Sequence, residues 1–144
     1  PYLPLFVVCA LNMAVAETPA ESLMSNGDFE TSLGWPVGTG ISIEEDAGNH
    51  FLRLESTEPR TQIQAYRKIT IPGGIQKLAV SFRVNHTKIK AGAENWHTAR
   101  VIMHFKDASG QLLKPDPKPF SFVGESNGWI EKSAEIVVPE GAVE

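Results

Sequence analysis

Between residues 41 and 138 the chain repeats one pattern: apolar and polar residues alternate with a period of two, and each alternating run ends in a cluster of Gly, Pro, Asn or Asp. In an extended chain, successive side chains point to opposite faces, so each run reads as a strand with one buried side. The clearest runs are 41–46, 51–56, 62–71, 77–85, 100–106 and 129–138. Pro72-Gly73-Gly74, Asp107-Ala108-Ser109-Gly110 and Ser126-Asn127-Gly128 punctuate them with residues that tolerate tight or left-handed backbone. Almost nothing repeats at the helical period. The expected fold is therefore all-β, and the regular spacing of strands points to a β-sandwich or jelly roll. Segment 114–119 carries Pro115, Pro117 and Pro119, each without the N–H a ladder needs, and reads as a stiff surface connection between sheets.

The two ends read differently from the middle. Residues 1–16 are apolar and uncharged and close on Ala14-Val15-Ala16, the small-x-small pattern that a signal peptidase accepts. The run is too short to span a bilayer, which takes about 20 helical residues. It is expected to be an export leader whose own N-terminus is incomplete, since no Met or basic region precedes it. Residues 17–22 form a polar stretch, and 23–144 form the domain. The end of the chain, Val137-Val138-Pro139-Glu140-Gly141-Ala142-Val143-Glu144, reads as a strand, a turn and the start of another strand. One or two closing strands are expected beyond it, because an open sandwich would expose an unpaired edge.

With 144 residues, 42% of them hydrophobic and 21% charged, the chain falls in the globular range for one domain. A net charge of −4 without any basic block argues against nucleic acid, which is bound by clustered Lys and Arg that displace counterions. The sole cysteine, Cys9, lies in the expected leader, so the exported domain would have no disulfide, thiolate metal site or thiol nucleophile.

Parity along the runs sorts the side chains. In 77–85, Leu78, Val80, Phe82 and Val84 form the inward set, leaving Arg83 and Asn85 outside; in 100–106, Val101, Met103 and Phe105 point in, and Arg100, Ile102 and His104 point out. Trp96 joins the outward set if that strand extends so far. In 62–71, Ile63, Ala65, Ile69 and Ile71 point in, while Gln62, Gln64 and Tyr66 point out. If these strands are neighbours, one sheet face presents Gln64, Tyr66, Arg83, Asn85, Trp96, Arg100 and His104 together. Such a face suits carbohydrate: an aromatic ring meets the apolar C–H side of a pyranose, and planar amides and guanidinium groups bracket its hydroxyls. An ordinary solvated sheet face is the alternative. Trp35 and Trp129, each following a Gly at a turn, read as plugs at the ends of the core.

The run Ser25-Asn26-Gly27-Asp28-Phe29-Glu30, followed by Gly34-Trp35, resembles the opening strand of carbohydrate-binding modules of families 4, 9 and 22. Later stretches are similar in order to the same modules: Gly48-Asn49-His50-Phe51-Leu52-Arg53-Leu54, Ile71-Pro72-Gly73-Gly74, Trp96-His97-Thr98-Ala99-Arg100-Val101, and Gly128-Trp129 through Val138-Pro139-Glu140-Gly141-Ala142. The resemblance runs from about residue 22 to the end. It implies a jelly roll of galactose-binding-like type, attached to a secreted bacterial glycoside hydrolase, with a sugar site on the concave sheet or in the end loops. It also implies a structural calcium near the first strand, held by Glu30 together with backbone carbonyls and an acidic residue of the last strand, with Asp28 as a nearby oxygen donor.

No catalytic pattern competes with that reading. The acidic run Glu44-Glu45-Asp46 lies on a strand, where adjacent side chains diverge, whereas glycosidase carboxylates must flank one bond. His50, His86, His97 and His104 have no metalloprotease spacing. The leading expectation is a non-catalytic module that binds polysaccharide or oligosaccharide and targets a covalently linked downstream catalytic domain, with no nucleic-acid partner and no membrane association after leader cleavage. The alternatives are a structural or adhesive sandwich without a sugar site, and a segment of a catalytic unit.

Overall fold

The computed structural model describes residues 5–15, 22–56, 58 and 61–144. Most of the polar stretch 17–22, and residues 1–4 and 16 of the expected leader, lie outside the described residues. No helix forms among the described residues. The strands in chain order are β1 (Leu5–Val15), β2 (Ile41–Asp46), β3 (Asn49–Glu55), β4 (Lys77–Thr87), β5 (Ala99–Val101), β6 (Phe105–Lys106), β7 (Leu112–Leu113), β8 (Phe120–Phe122) and β9 (Ile130–Val137). The fold is all-β with antiparallel sheets: a five-stranded sheet in the order β2-β3-β1-β4-β9, and the pairs β5-β8 and β6-β7.

Local chemistry sets the connections. Asp46 pairs with Asn49, so Ala47 and Gly48 make a two-residue hairpin turn with φ of 52° and 81°. Positive φ at both central residues gives a turn whose twist matches the flanking strands. At 107–110 the Asp107 carboxylate accepts from the Ser109 and Gln111 amides at 2.9 and 3.0 Å, and Gly110 takes φ 83°.

The alternation read in 77–85 holds throughout β4. Leu78, Val80, Phe82 and Val84 are all buried, and His86 continues the same face. The Phe82 ring meets Phe120 edge-on at 5.0 Å and Phe122 at 6.4 Å, which packs β8 across the core from β4. Leu52 of β3, Phe105 of β6 and Ile136 of β9 join this cluster. Burying one such side chain contributes about 1.5–3 kcal/mol, so these few residues supply much of the driving force.

Two strand expectations are corrected. The run 100–106 is not one strand: β5 pairs with β8 while β6 pairs with β7, and residues 102–104 carry the chain from one partner to the other. The run 62–71 keeps its alternating burial but joins no ladder; at its end the Ile71 amide donates to the Val143 carbonyl at 2.9 Å. Periodicity reports which side of an extended segment is covered. It does not report a hydrogen-bonded neighbour.

The apolar segment read as an export leader contributes β1. It lies between β3 and β4 and is antiparallel to both, with a bulge between Cys9 and Leu11.

Candidate functional site

Segment 62–71 presents its even-numbered residues to solvent and turns the odd-numbered ones inward, with Ala65 packed on the core. Tyr66 is 74% exposed, and its hydroxyl donates to the Gln64 carboxamide oxygen beside it. The phenol ring and the planar amide thus form one water-facing pair, both groups suited to a sugar.

Arg100 lies in β5 opposite Ser121 of β8. The residues flanking Ser121 are Phe120 and Phe122, which point to Phe82, so Arg100 and Ser121 face away from the core. His104 is exposed in the connection between β5 and β6, and its Nδ1 lies 3.0 Å from Asp116 Oδ1 in the proline-rich loop. The hydrogen bond from Lys114, and after it the one from His104, holds the Asp116 carboxyl below the usual aspartate value. Trp96 does not extend β5. It sits in the loop before it, 52% exposed, with the His97 ring 5.9 Å away in an edge arrangement. The loop closes tightly, the Gly92 amide donating to the His97 carbonyl at 2.6 Å.

Arg83 and Asn85 lie elsewhere. They share β4 with Phe82, whose ring points into the core, and therefore project from the opposite side of the five-stranded sheet. The Arg83 guanidinium lies 5.8 Å from the centroid of Trp129, whose ring in turn meets Phe51 at 5.6 Å. Asn85 Oδ1 accepts from the Ser126 hydroxyl at 3.2 Å. The expectation of a single face for Gln64, Tyr66, Arg83, Asn85, Trp96, Arg100 and His104 is thereby corrected. Parity separates inward from outward within a strand, but outward from the five-stranded sheet and outward from the β5–β8 pair are opposite sides of the core. The Phe51–Trp129–Arg83 cluster escaped the sequence reading, which took Trp129 for a core plug; a Trp two residues ahead of an outward Glu131 on β9 was the available signal.

The Asn26–Trp35 segment is a self-bonded turn. Asn26 takes φ 52°, its side-chain amide donates to the carbonyls of Thr31 and Leu33 at 2.8 and 3.0 Å, and its own carbonyl accepts from the Trp35 indole N–H at 2.8 Å. Phe29 is fully buried and packs on Trp35 at 4.8 Å. Asp28 is exposed. Glu30 Oε1 lies 3.2 Å from His50 Nδ1, and His50 Nε2 faces Glu45 at 3.8 Å. Calcium takes six to eight oxygens. Among the described residues no three His, Cys, Asp or Glu side chains gather into a group that could hold a metal ion, and Glu30 faces a histidine ring. Glu30 is thus engaged by His50, while a calcium site of the kind the resemblance implies would also draw on backbone carbonyl oxygens.

The acidic run on β2 is engaged in strand-to-strand pairs. Glu44 accepts from Arg53 at 3.0 and 3.2 Å, while Glu45 faces His50. The two carboxylates are directed to different partners.

No family model, curated protein or solved structure matches this chain.

Proposed function

We propose that the chain is an exported, non-catalytic module that binds polysaccharide and holds a linked glycoside hydrolase near its substrate, on a jelly-roll β-sandwich of galactose-binding-like type. The observation that carries this reading is the exposure of Tyr66 and Trp96, at 74% and 52%. Large aromatic rings left open to water lose burial energy, and stacking on the C–H face of a sugar ring recovers it. Gln64 beside Tyr66, and the outward Arg100, supply the planar hydrogen-bonding groups that orient hydroxyls. Tethering would raise the effective concentration of a linked enzyme at an insoluble substrate.

Affinity electrophoresis of the folded protein in gels containing xylan, β-glucan, mannan or laminarin tests the reading. Retardation on at least one polysaccharide, weakened by Tyr66→Ala or Trp96→Ala, is the expected result. Unretarded migration on all of them by folded protein refutes it. The separation of Arg83 and Asn85 from Arg100 across the core favours a second reading, a structural accessory domain without a sugar site, and that same negative result would select it.

A further inference from the structure

The position of β1 makes the five-stranded sheet depend on a segment that export would remove. β1 is matched to β4 from Leu5↔Thr87 to Val15↔Leu78, and to β3 from Leu5↔Glu55 to Val8↔Leu52. Because it is antiparallel to both, β3 and β4 run parallel to each other and stand one strand apart, roughly 9–10 Å at ordinary strand spacing. Leucine, valine and phenylalanine side chains of these two neighbours, among them Leu52, Val80 and Phe82, form the core beneath the sheet.

Cleavage after Ala16 would take β1 away and leave facing rows of backbone N–H and C=O groups on β3 and β4. These rows are too far apart to bond to each other, and each is an unpaired strand edge that templates the addition of another strand. Closing the gap would require sliding half of the sheet over a close-packed core. Filling it with another strand satisfies both rows at once.

We infer that the slot between β3 and β4 is a strand-acceptor site, which in the exported protein takes an extended, uncharged, apolar segment of a partner polypeptide running antiparallel to both edges. The chemistry of the occupant is read from the eleven-residue segment seated there, Leu-Phe-Val-Val-Cys-Ala-Leu-Asn-Met-Ala-Val, which carries no charge. The recognition mode is strand addition, with main-chain bonds giving affinity and alternate side chains giving selectivity, here on two edges rather than one. The inference rests on the export and cleavage included in the proposed function.

The test uses the full chain preceded by a Met and a short Lys-rich stretch that completes the leader, expressed with export and purified from the extracellular or periplasmic fraction. Intact mass locates the N-terminus. A synthetic peptide of residues 5–15 carrying Cys9→Ser is then added, and binding is followed by native mass spectrometry and amide hydrogen exchange. The expected result is a chain beginning at Glu17, a one-to-one complex, and exchange slowed at least tenfold in both 52–55 and 78–87. The same peptide with Val7→Pro and Val8→Pro, which removes one N–H toward each neighbour, should bind at least tenfold more weakly. A chain beginning at Glu17 that does not bind the peptide, or that is protected on one strand only, overturns the acceptor site and leaves the leader reading intact. A folded chain that keeps residues 5–15 overturns the leader reading and, with it, this inference.

Discussion

The guanidinium of Arg67 lies over the indole of Trp35, 4.8 Å from its ring centroid, and its Nη2 donates to both the carbonyl and the hydroxyl of Ser25 at 3.2 Å. One side chain thus fastens segment 61–71, which has no ladder of its own, to the turn that buries Phe29. A cation over an aromatic ring contributes about 0.5–2 kcal/mol and each hydrogen bond about 1 kcal/mol. Arg67→Ala is expected to lower unfolding free energy by about 1–2 kcal/mol, read as a lower urea midpoint at unchanged slope. Arg67→Lys should recover only part of the loss, since an ammonium lacks the planar fork. Equal midpoints for all three proteins would mean the contact contributes nothing.

Gly34 tests the same clamp from the other side. Its φ is +78°, and a Cβ placed there would stand 3.0 Å from the Arg67 guanidinium carbon. Gly34→Ala therefore meets backbone strain and a steric conflict together, with an expected cost of about 1–2 kcal/mol. In an Arg67→Ala background the conflict disappears and the strain remains, so the second measurement should show a smaller penalty. A double-mutant cycle separates the two. Additive effects would place the whole cost in the backbone.

Phe82→Ala removes the ring that joins the two sides of the core through Phe120 and Phe122. Truncation of a fully buried Phe costs about 3–5 kcal/mol, a large part of the stability of a domain this size. The expected outcome is a protein unfolded or near its midpoint at room temperature by circular dichroism. Phe82→Leu, which leaves less empty volume, should remain folded.

How much of this was legible in the sequence depends on which physical signal each residue left. The inward set of β4 was fully readable, because burial on one face enforces a period of two and no other arrangement of Leu78, Val80, Phe82 and Val84 hides all four. The turn at Asp107-Ala108-Ser109-Gly110 was readable as such, because Asp and Gly supply its side-chain acceptor and its left-handed backbone. The grouping of outward residues was not, since parity at Arg83 and at Arg100 is the same whether their strands are neighbours or lie across the core. The break at 102–104 was equally hidden, because an extended chain can change ladder partners without changing its side-chain alternation. Glu30 illustrates a further limit: a motif position fixes where a carboxylate sits along the chain, while its partner, His50, comes from a strand far along the sequence.

The turn at Asp107 makes acid stability measurable at one carboxylate. The Ser109 hydroxyl, at 2.6 Å, is the chief cause that holds the Asp107 pKa below its ordinary 3.8, and the Gln111 amide adds to it, while burial works the other way. A depressed folded pKa stabilises the protein fully above the unfolded value and loses that contribution as pH falls through the folded value. The turn is therefore expected to weaken only below about pH 4, and carbon-detected NMR titration should place the Asp107 midpoint under 3.8. Ser109→Ala should move the midpoint upward. An Asp107 that titrates at or above 3.8 in the wild-type protein contradicts the hydrogen-bonded turn.

The two sides of the core make distinguishable demands on ligand binding. Among the described residues Tyr66 and Trp96 are the aromatic side chains left exposed, and removing one aromatic platform costs about 0.5–1.5 kcal/mol beyond area burial, or roughly two- to twelvefold in affinity. Tyr66→Ala and Trp96→Ala are thus expected to weaken retention on whichever polysaccharide retards the wild-type protein by that factor, with folding checked by circular dichroism. Arg83→Ala and Asn85→Ala, on the outer face of the five-stranded sheet beside Trp129, should leave retention unchanged. The reverse pattern, loss with Arg83→Ala and none with Tyr66→Ala, would transfer the binding surface to the face where Trp129 meets Phe51. That outcome would also make the half-covered indole, rather than the most exposed ring, the group on which the sugar rests, since Arg83 already occupies one side of it.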